Sequence, residues 1–151
     1  MIKHVEIKRR WLVAALAVWV GALVVTVSAT SAAPQGGRGN GGWALPPEAQ
    51  TEKNPLTVND AVLAGGKKVY EQKCQRCHGK TGKGDGPDAE AKNQGDMDLT
   101  VAARAARNPD GVVFYKIWVG RQSPKMPAMS EELTKQQVWA VVAYTQTLRA
   151  K

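Results

Sequence analysis

Cys74-Gln75-Arg76-Cys77-His78 holds both cysteines of a 151-residue chain whose one other histidine is His4. Two thiols three positions apart, directly ahead of an imidazole, admit four chemistries. A disulfide between them would close a loop too small to restrain much of the unfolded chain. Zinc needs four ligands, usually from two separated pairs, and a second pair is absent from the sequence. Thiol–disulfide exchange through C-x-x-C belongs to a strand-then-helix setting, whereas the residues ahead of Cys74 read as a helix.

The fourth chemistry uses every member of the motif. C-x-x-C-H is the attachment signal of a c-type haem. Two thiols about one helical turn apart reach the two vinyl groups on one porphyrin edge, and the next residue holds the iron by its imidazole. Cys74 and Cys77 are then the attachment points and His78 an iron ligand. A closing ligand on the other face would be a methionine, with Met97, Met126 and Met129 as candidates. Met126 is favoured because Pro124 and Pro127 flank it and stiffen its loop.

Outward from the motif, the pattern is helical. Residues 60–76 place apolar or small side chains at Ala61, Ala64, Gly65, Tyr70 and Cys74, with Asn59 as N-cap. Asn108-Pro109-Asp110 starts a helix that runs over 112–119 and stops at Gly120. Residues 130–134 offer another cap, and 135–149 carry Val138, Val141, Val142, Thr145 and Leu148 at helical spacing. No alternating strand pattern appears. The expected fold class is all-α, a small helical domain over 57–151 in which a bound haem would supply much of the apolar core.

The N-terminal third has a different character. Lys3, Lys8, Arg9 and Arg10 precede an uncharged stretch from Trp11 to Gly37, apolar over 11–27 and rich in small residues over 28–33. That layout is an export signal. The apolar run lies between a cleavable core and the roughly 20 residues that span a bilayer, so residues 1–33 read as a signal peptide or a membrane anchor. Residues 34–56 are rich in Gly and Pro without helical or strand period, and read as a linker. The expected location is the periplasmic side of the inner membrane, anchored or released.

The chain carries +8, from 21 Lys and Arg against 13 Asp and Glu. Four of those bases and one acid lie in residues 1–33, which leaves +5 on the remainder. No basic stripe interleaved with aromatics marks a nucleic-acid surface. A mildly basic exported domain instead suits docking on an acidic protein, with Lys67, Lys68, Lys73, Lys80, Lys83 and Lys125 as the expected contacts.

With these residues in hand, 57–151 resembles a class I (mitochondrial-type) cytochrome c domain of the bacterial monohaem kind. The likeness rests on 74–79, 82–87, Asp98-Leu99-Thr100, Gly120, Met126-Pro127 and a final helix with Tyr144. It implies that Gly66 and Tyr70 on the first helix cross Val141 and Tyr144 on the last. It also implies that the Pro87 carbonyl accepts the His78 N–H and that Met126 is the distal ligand. The expected function is one-electron transfer between redox partners with one covalent haem c, without enzymatic activity or a small-molecule substrate. Trp118 or Arg121 is a candidate donor to a haem propionate, whereas Trp43 and Trp139 read as packing residues. Three alternatives stand beside the carrier: a haem-c subunit of a dehydrogenase or oxidase complex, a haem enzyme or sensor with open iron, and a haem-free thiol oxidoreductase.

Overall fold

The computed structural model describes residues 42–150. The export segment, His4 and the first part of the linker lie outside the described residues. Five α-helices build the domain: α1 (Asp60–Lys73), α2 (Gln75–His78), α3 (Gln94–Met97), α4 (Asp110–Val119) and α5 (Lys135–Thr147). Short 3₁₀ turns lie at Pro47–Gln50, Ala91–Asn93, Ala102–Arg107 and Leu148–Ala150. Among the described residues there are no strands, just two isolated bridges, Lys83 with Asp98 and Arg121 with Met126. None of the described helices is long and apolar enough to cross a membrane.

Local chemistry sets the helix ends. The Asn59 side chain accepts from the Val62 N–H at 3.0 Å and starts α1. Thr134 and Gln137 form a reciprocal capping box at the start of α5. Gly120, at φ +65°, ends α4. The single helix expected over 60–76 is instead two, broken at Cys74, whose φ of −116° departs from helical values. Its N–H still bonds the Tyr70 carbonyl, while its own carbonyl accepts from Cys77 and His78. The chain turns at Cys74 and begins α2 from it.

Helices α1 and α5 make the most extensive packing in the domain. Gly66 permits it, since a Cβ there would overlap the Ala140 carbonyl and approach the Tyr144 Cβ at 3.1 Å. The Tyr70 and Tyr144 rings lie 5.3 Å apart at this crossing. The contact is the expected one, except that the Ala140 backbone, rather than Val141, opposes the glycine. Tyr70 is fully buried, and its hydroxyl donates to the Gly79 carbonyl at 2.7 Å.

The main core joins Val69, Phe114, Ile117, Met129, Leu133, Val138, Trp139, Val141 and Val142. Phe114 stacks on Trp139 at 4.2 Å and on Trp118 at 5.8 Å. A second cluster corrects the reading of the linker. Leu45, Ala49 and Val112 bury together, with Trp43 and Tyr115 against them. Four-residue spacing lets Leu45 and Ala49 cover one side of α4 across the 3₁₀ turn. Gly111 allows the close approach: a Cβ there would sit 2.6 Å from the Ala49 carbonyl oxygen. Its N–H bonds the Glu52 carbonyl at 3.1 Å. Over 43–56, the stretch read as a linker is packed as part of the domain.

Candidate functional site

Helix α2 is one turn long and carries Cys77 and His78 of the thiol–imidazole motif, with Cys74 as its N-cap. Cys74 and Cys77 are both free thiols, half-buried, and stand three positions apart at its start and within it. Burial, and then the neighbouring Cys77, push the Cys74 thiol up to about 12. A thiol held protonated is a poor nucleophile. Zinc finds no home: among the described residues no group of three or more His, Cys, Asp or Glu could hold a metal.

His78 is fixed by its backbone surroundings. Its Nδ1 lies 2.7 Å from the Met97 carbonyl oxygen. A carbonyl can only accept, so Nδ1 carries the proton and Nε2 keeps its lone pair. Burial lowers the imidazole pKa, against the opposing Met97 hydrogen bond, and favours that neutral form. The acceptor differs from the expected Pro87. The segment 84–88 instead lies against the motif's own backbone, where Gly86 N–H bonds the Cys77 carbonyl and Asp88 N–H that of Arg76. Exposed Arg76 also reaches Asp88 by two hydrogen bonds of 2.7 and 2.9 Å. Pro87 is exposed on that strand of chain.

Met97 is brought to the imidazole by the segment after α2. Gly84 N–H bonds the His78 carbonyl at 2.8 Å, and Leu99 N–H bonds that of Gly82 at 2.7 Å. Gly84, at φ +73°, would place a Cβ 2.6 Å from the Gln94 carbonyl oxygen, so the close approach requires glycine. Asp98 accepts from the Thr100 hydroxyl and N–H, which holds its carboxyl below the usual range. A backbone carbonyl has no side-chain signature, and no sequence signal could have singled out Met97 for this task.

The three methionines separate by position. Met129 is buried in the main core, and its N–H bonds the Ile117 carbonyl at 3.0 Å. Met97 gives its carbonyl to His78. Met126 is half-buried and packs against the same cluster that Cys74 and Trp118 touch. Its N–H and carbonyl both bond Arg121, each at 2.8 Å, and close the loop into a small hairpin. The Arg121 Nε–H donates to the Pro124 carbonyl at 3.1 Å inside the loop.

Around this loop stands a basic, aromatic neighbourhood. The Arg121 guanidinium lies 4.5 Å from the centre of the Trp43 ring, and the Lys116 ammonium 5.3 Å from it. Lys116 also donates to the Asn108 side-chain oxygen at 2.6 Å. Burial, then the guanidinium groups of Arg121, Arg149, Arg104 and Arg107, bring its pKa down to about 8. Trp118 lies under the Lys135 ammonium at 5.9 Å.

The donor set fits a covalently bound haem. One free thiol shares a short helix with an imidazole whose Nε2 is left with its lone pair, and the other thiol stands at the N-cap of that helix. A methionine loop packs on the same apolar cluster as the first thiol. Both cysteines and the one described histidine are engaged.

A family model for cytochrome c matches residues 63–149. No curated protein sequence matches the chain. Among solved structures, a chain of the reducing HAO-like protein complex of Kuenenia stuttgartiensis is similar at 26% identity with TM-score 0.51. That match covers 64% of this chain and 49% of the other. Cytochrome cL of the marine methylotroph Methylophaga aminisulfidivorans is similar at 21% identity and TM-score 0.51, over 66% of this chain and 63% of its own. A c-type cytochrome is similar at 28% identity and TM-score 0.43, over 56% of this chain and 94% of its own. The chain thus spans about half the length of the first of these and under two thirds of the second.

Proposed function

Because the chain belongs to the cytochrome c family and carries covalent haem c, we propose that it is a one-electron carrier with His78 and Met126 as the protein ligands of its iron. When bound, the haem supplies a one-electron ferric/ferrous couple. Cys74 and Cys77 anchor the group. His78 would hold the iron through Nε2, its ring direction fixed by the Met97 carbonyl, and Met126 would hold it through its thioether. A thioether is a soft ligand that favours the ferrous form, which raises the potential. Held by His78 and Met126, the iron would have no protein-free position for a substrate, which is why the reading is a carrier rather than an enzyme.

One observation carries this reading. Met126 is the candidate methionine that is neither sunk in the core nor engaged by its carbonyl at His78, and both its backbone groups are pinned by Arg121. Replacing Met126 with Ala tests it. The variant should lose the weak far-red charge-transfer band of methionine-ligated ferric haem, show a lower potential and bind cyanide readily. Unchanged behaviour would move the ligand to Met97 or Met129.

A second reading, a haem-c subunit of a larger redox complex, is favoured by the similarity to a chain of the HAO-like complex. Native mass measured on gently extracted protein separates the two, since a free carrier should run alone. We place the domain on the periplasmic side of the membrane, with the apolar N-terminal segment as anchor or cleaved leader. The mass of the mature protein decides between those fates.

A further inference from the structure

Trp43 lies outside both the family match and the motif, yet it contacts a side chain that reaches the loop of one proposed iron ligand and the neighbour of the residue that orients the other. Arg121 is 13% exposed, and its guanidinium lies on the Trp43 ring at 4.5 Å. Its Nε–H donates into the ligand loop at Pro124, and its backbone holds Met126 by two hydrogen bonds. Its Nη2 meets the Asp96 carboxylate at 3.8 Å. Asp96 precedes Met97, whose carbonyl orients His78. One guanidinium thus joins the support of the imidazole to the loop of the methionine, and Trp43 covers it.

The segment bearing Trp43 is itself anchored at several points. Leu45 and Ala49 bury against α4, and the Glu52 carbonyl accepts from Gly111. The Asn54 side chain donates to the Trp139 carbonyl on α5 at 2.9 Å. The ring is therefore held on Arg121 by a backbone tied to two helices.

We propose that residues 43–56 form a strap that holds the Met126 loop closed, with Trp43 as a positioning residue acting through Arg121. This rests on the reading of Met126 as ligand. A methionine on a surface loop competes with external ligands through the fraction of time the loop is open. Trp43 lowers that fraction by keeping the guanidinium in its place on Pro124 and Asp96. The strap governs how tightly the iron is closed and leaves the attachment chemistry untouched.

Cyanide binding to the ferric full-length holoprotein tests this in a double-mutant cycle. Trp43→Ala should raise the apparent cyanide affinity about fivefold or more, equivalent to about 1 kcal/mol, and speed amide exchange at Met126 and Arg121. In a Met126→Ala background the loop no longer guards the iron, so adding Trp43→Ala should change nothing further. Equal cyanide affinity in Trp43→Ala and wild type would overturn the strap. So would an equal increase in both backgrounds, which places the effect away from the loop. A wild type without the far-red band, binding cyanide like Met126→Ala, would instead refute the ligand assignment. Should Trp43→Ala fail to accumulate, Arg121→Lys, which keeps the charge and loses the planar group on the ring, is read in the same cycle.

Discussion

Lys116 sits where a cation is poorly placed. Its neighbours are the Asn108 side-chain oxygen, the Trp43 ring and the guanidinium groups of Arg121, Arg149, Arg104 and Arg107. The last three come from the Ala102–Arg107 turn and from the chain after α5, so repulsion arrives from several elements. Burial is the larger cause of its depressed pKa, about 8 against 10.5 for a free lysine. Below pH 8 the ammonium is charged in both folded and unfolded chains, and the folded state carries the full cost of desolvating it. Between about 8 and 10.5 the unfolded chain binds more protons, so this contribution to stability rises with pH. The Tyr70 hydroxyl acts oppositely near the top of that window, because burial holds it protonated while the unfolded phenol ionises. Lys116→Gln should therefore unfold at higher denaturant than wild type at pH 7, with the gap closing toward pH 10. The side chain is only half-buried, so the gain should be about 1 kcal/mol or less. Denaturant titrations of the holoprotein at the two pH values check it, and an equal gap at both would show that the charge is not the cause.

At the scale of elements, the crossing of α1 and α5 makes a sharper demand. Gly66 and Gly65 are adjacent on α1, yet a Cβ on Gly66 would overlap the Ala140 backbone while one on Gly65 meets nothing within 4 Å. Gly66→Ala should destabilise the holoprotein by about 1–3 kcal/mol, because the helices must separate. Gly65→Ala should stabilise it by about 0.5–1 kcal/mol through helix propensity. Thermal unfolding of the pair decides, and equal responses would mean the helices do not meet at Gly66. This crossing was expected from the family resemblance, which set Gly66 and Tyr70 against Val141 and Tyr144, and a glycine with a tyrosine is something side chains can display. The starts of α1 and α5 and the stop of α4 were legible in the sequence, where Asn59, Thr134 and Gly120 mark them by local chemistry. The break at Cys74 was not, since the residues on both sides of it are helix formers and the turn is made by a carbonyl shared between Cys77 and His78. The same holds for Met97 in place of Pro87. Which carbonyl reaches an imidazole depends on how 82–99 folds back, and every residue has a carbonyl. The strap was hidden for another reason: two apolar residues among Gly and Pro show no period, and their burial depends on Gly111 of a distant helix.

Over the whole molecule, charge is distributed so that bases flank both parts of the site. Lys73 and Lys80 bracket the motif, Lys83 follows, and Lys125 adjoins Met126; all are exposed. Lys73 is paired with Glu132 at 2.6 Å and Lys67 with Glu71 at 3.8 Å. Lys68, Lys80, Lys83 and Lys125 have no such ion pair among the described residues, although the Lys83 charge helps hold the Asp98 carboxyl below its usual range. Attraction to an acidic partner acts on encounter and is screened by salt. Electron transfer to an acidic redox partner should slow at least about tenfold between about 0.01 and 1 M salt, as the screening length falls from about 30 to about 3 Å. Net charge alone would give a similar trend, so position must be varied at constant charge. Lys80→Glu, Lys83→Glu and Lys125→Glu should each slow the reaction at low salt. Lys53→Glu, an equal change on the strap, should leave it close to wild type. If all four variants fall together, steering by total charge replaces docking at the flanks of the haem site. If the rate is flat in salt, an acidic partner is ruled out, and the exposed lysines serve to keep the domain in solution.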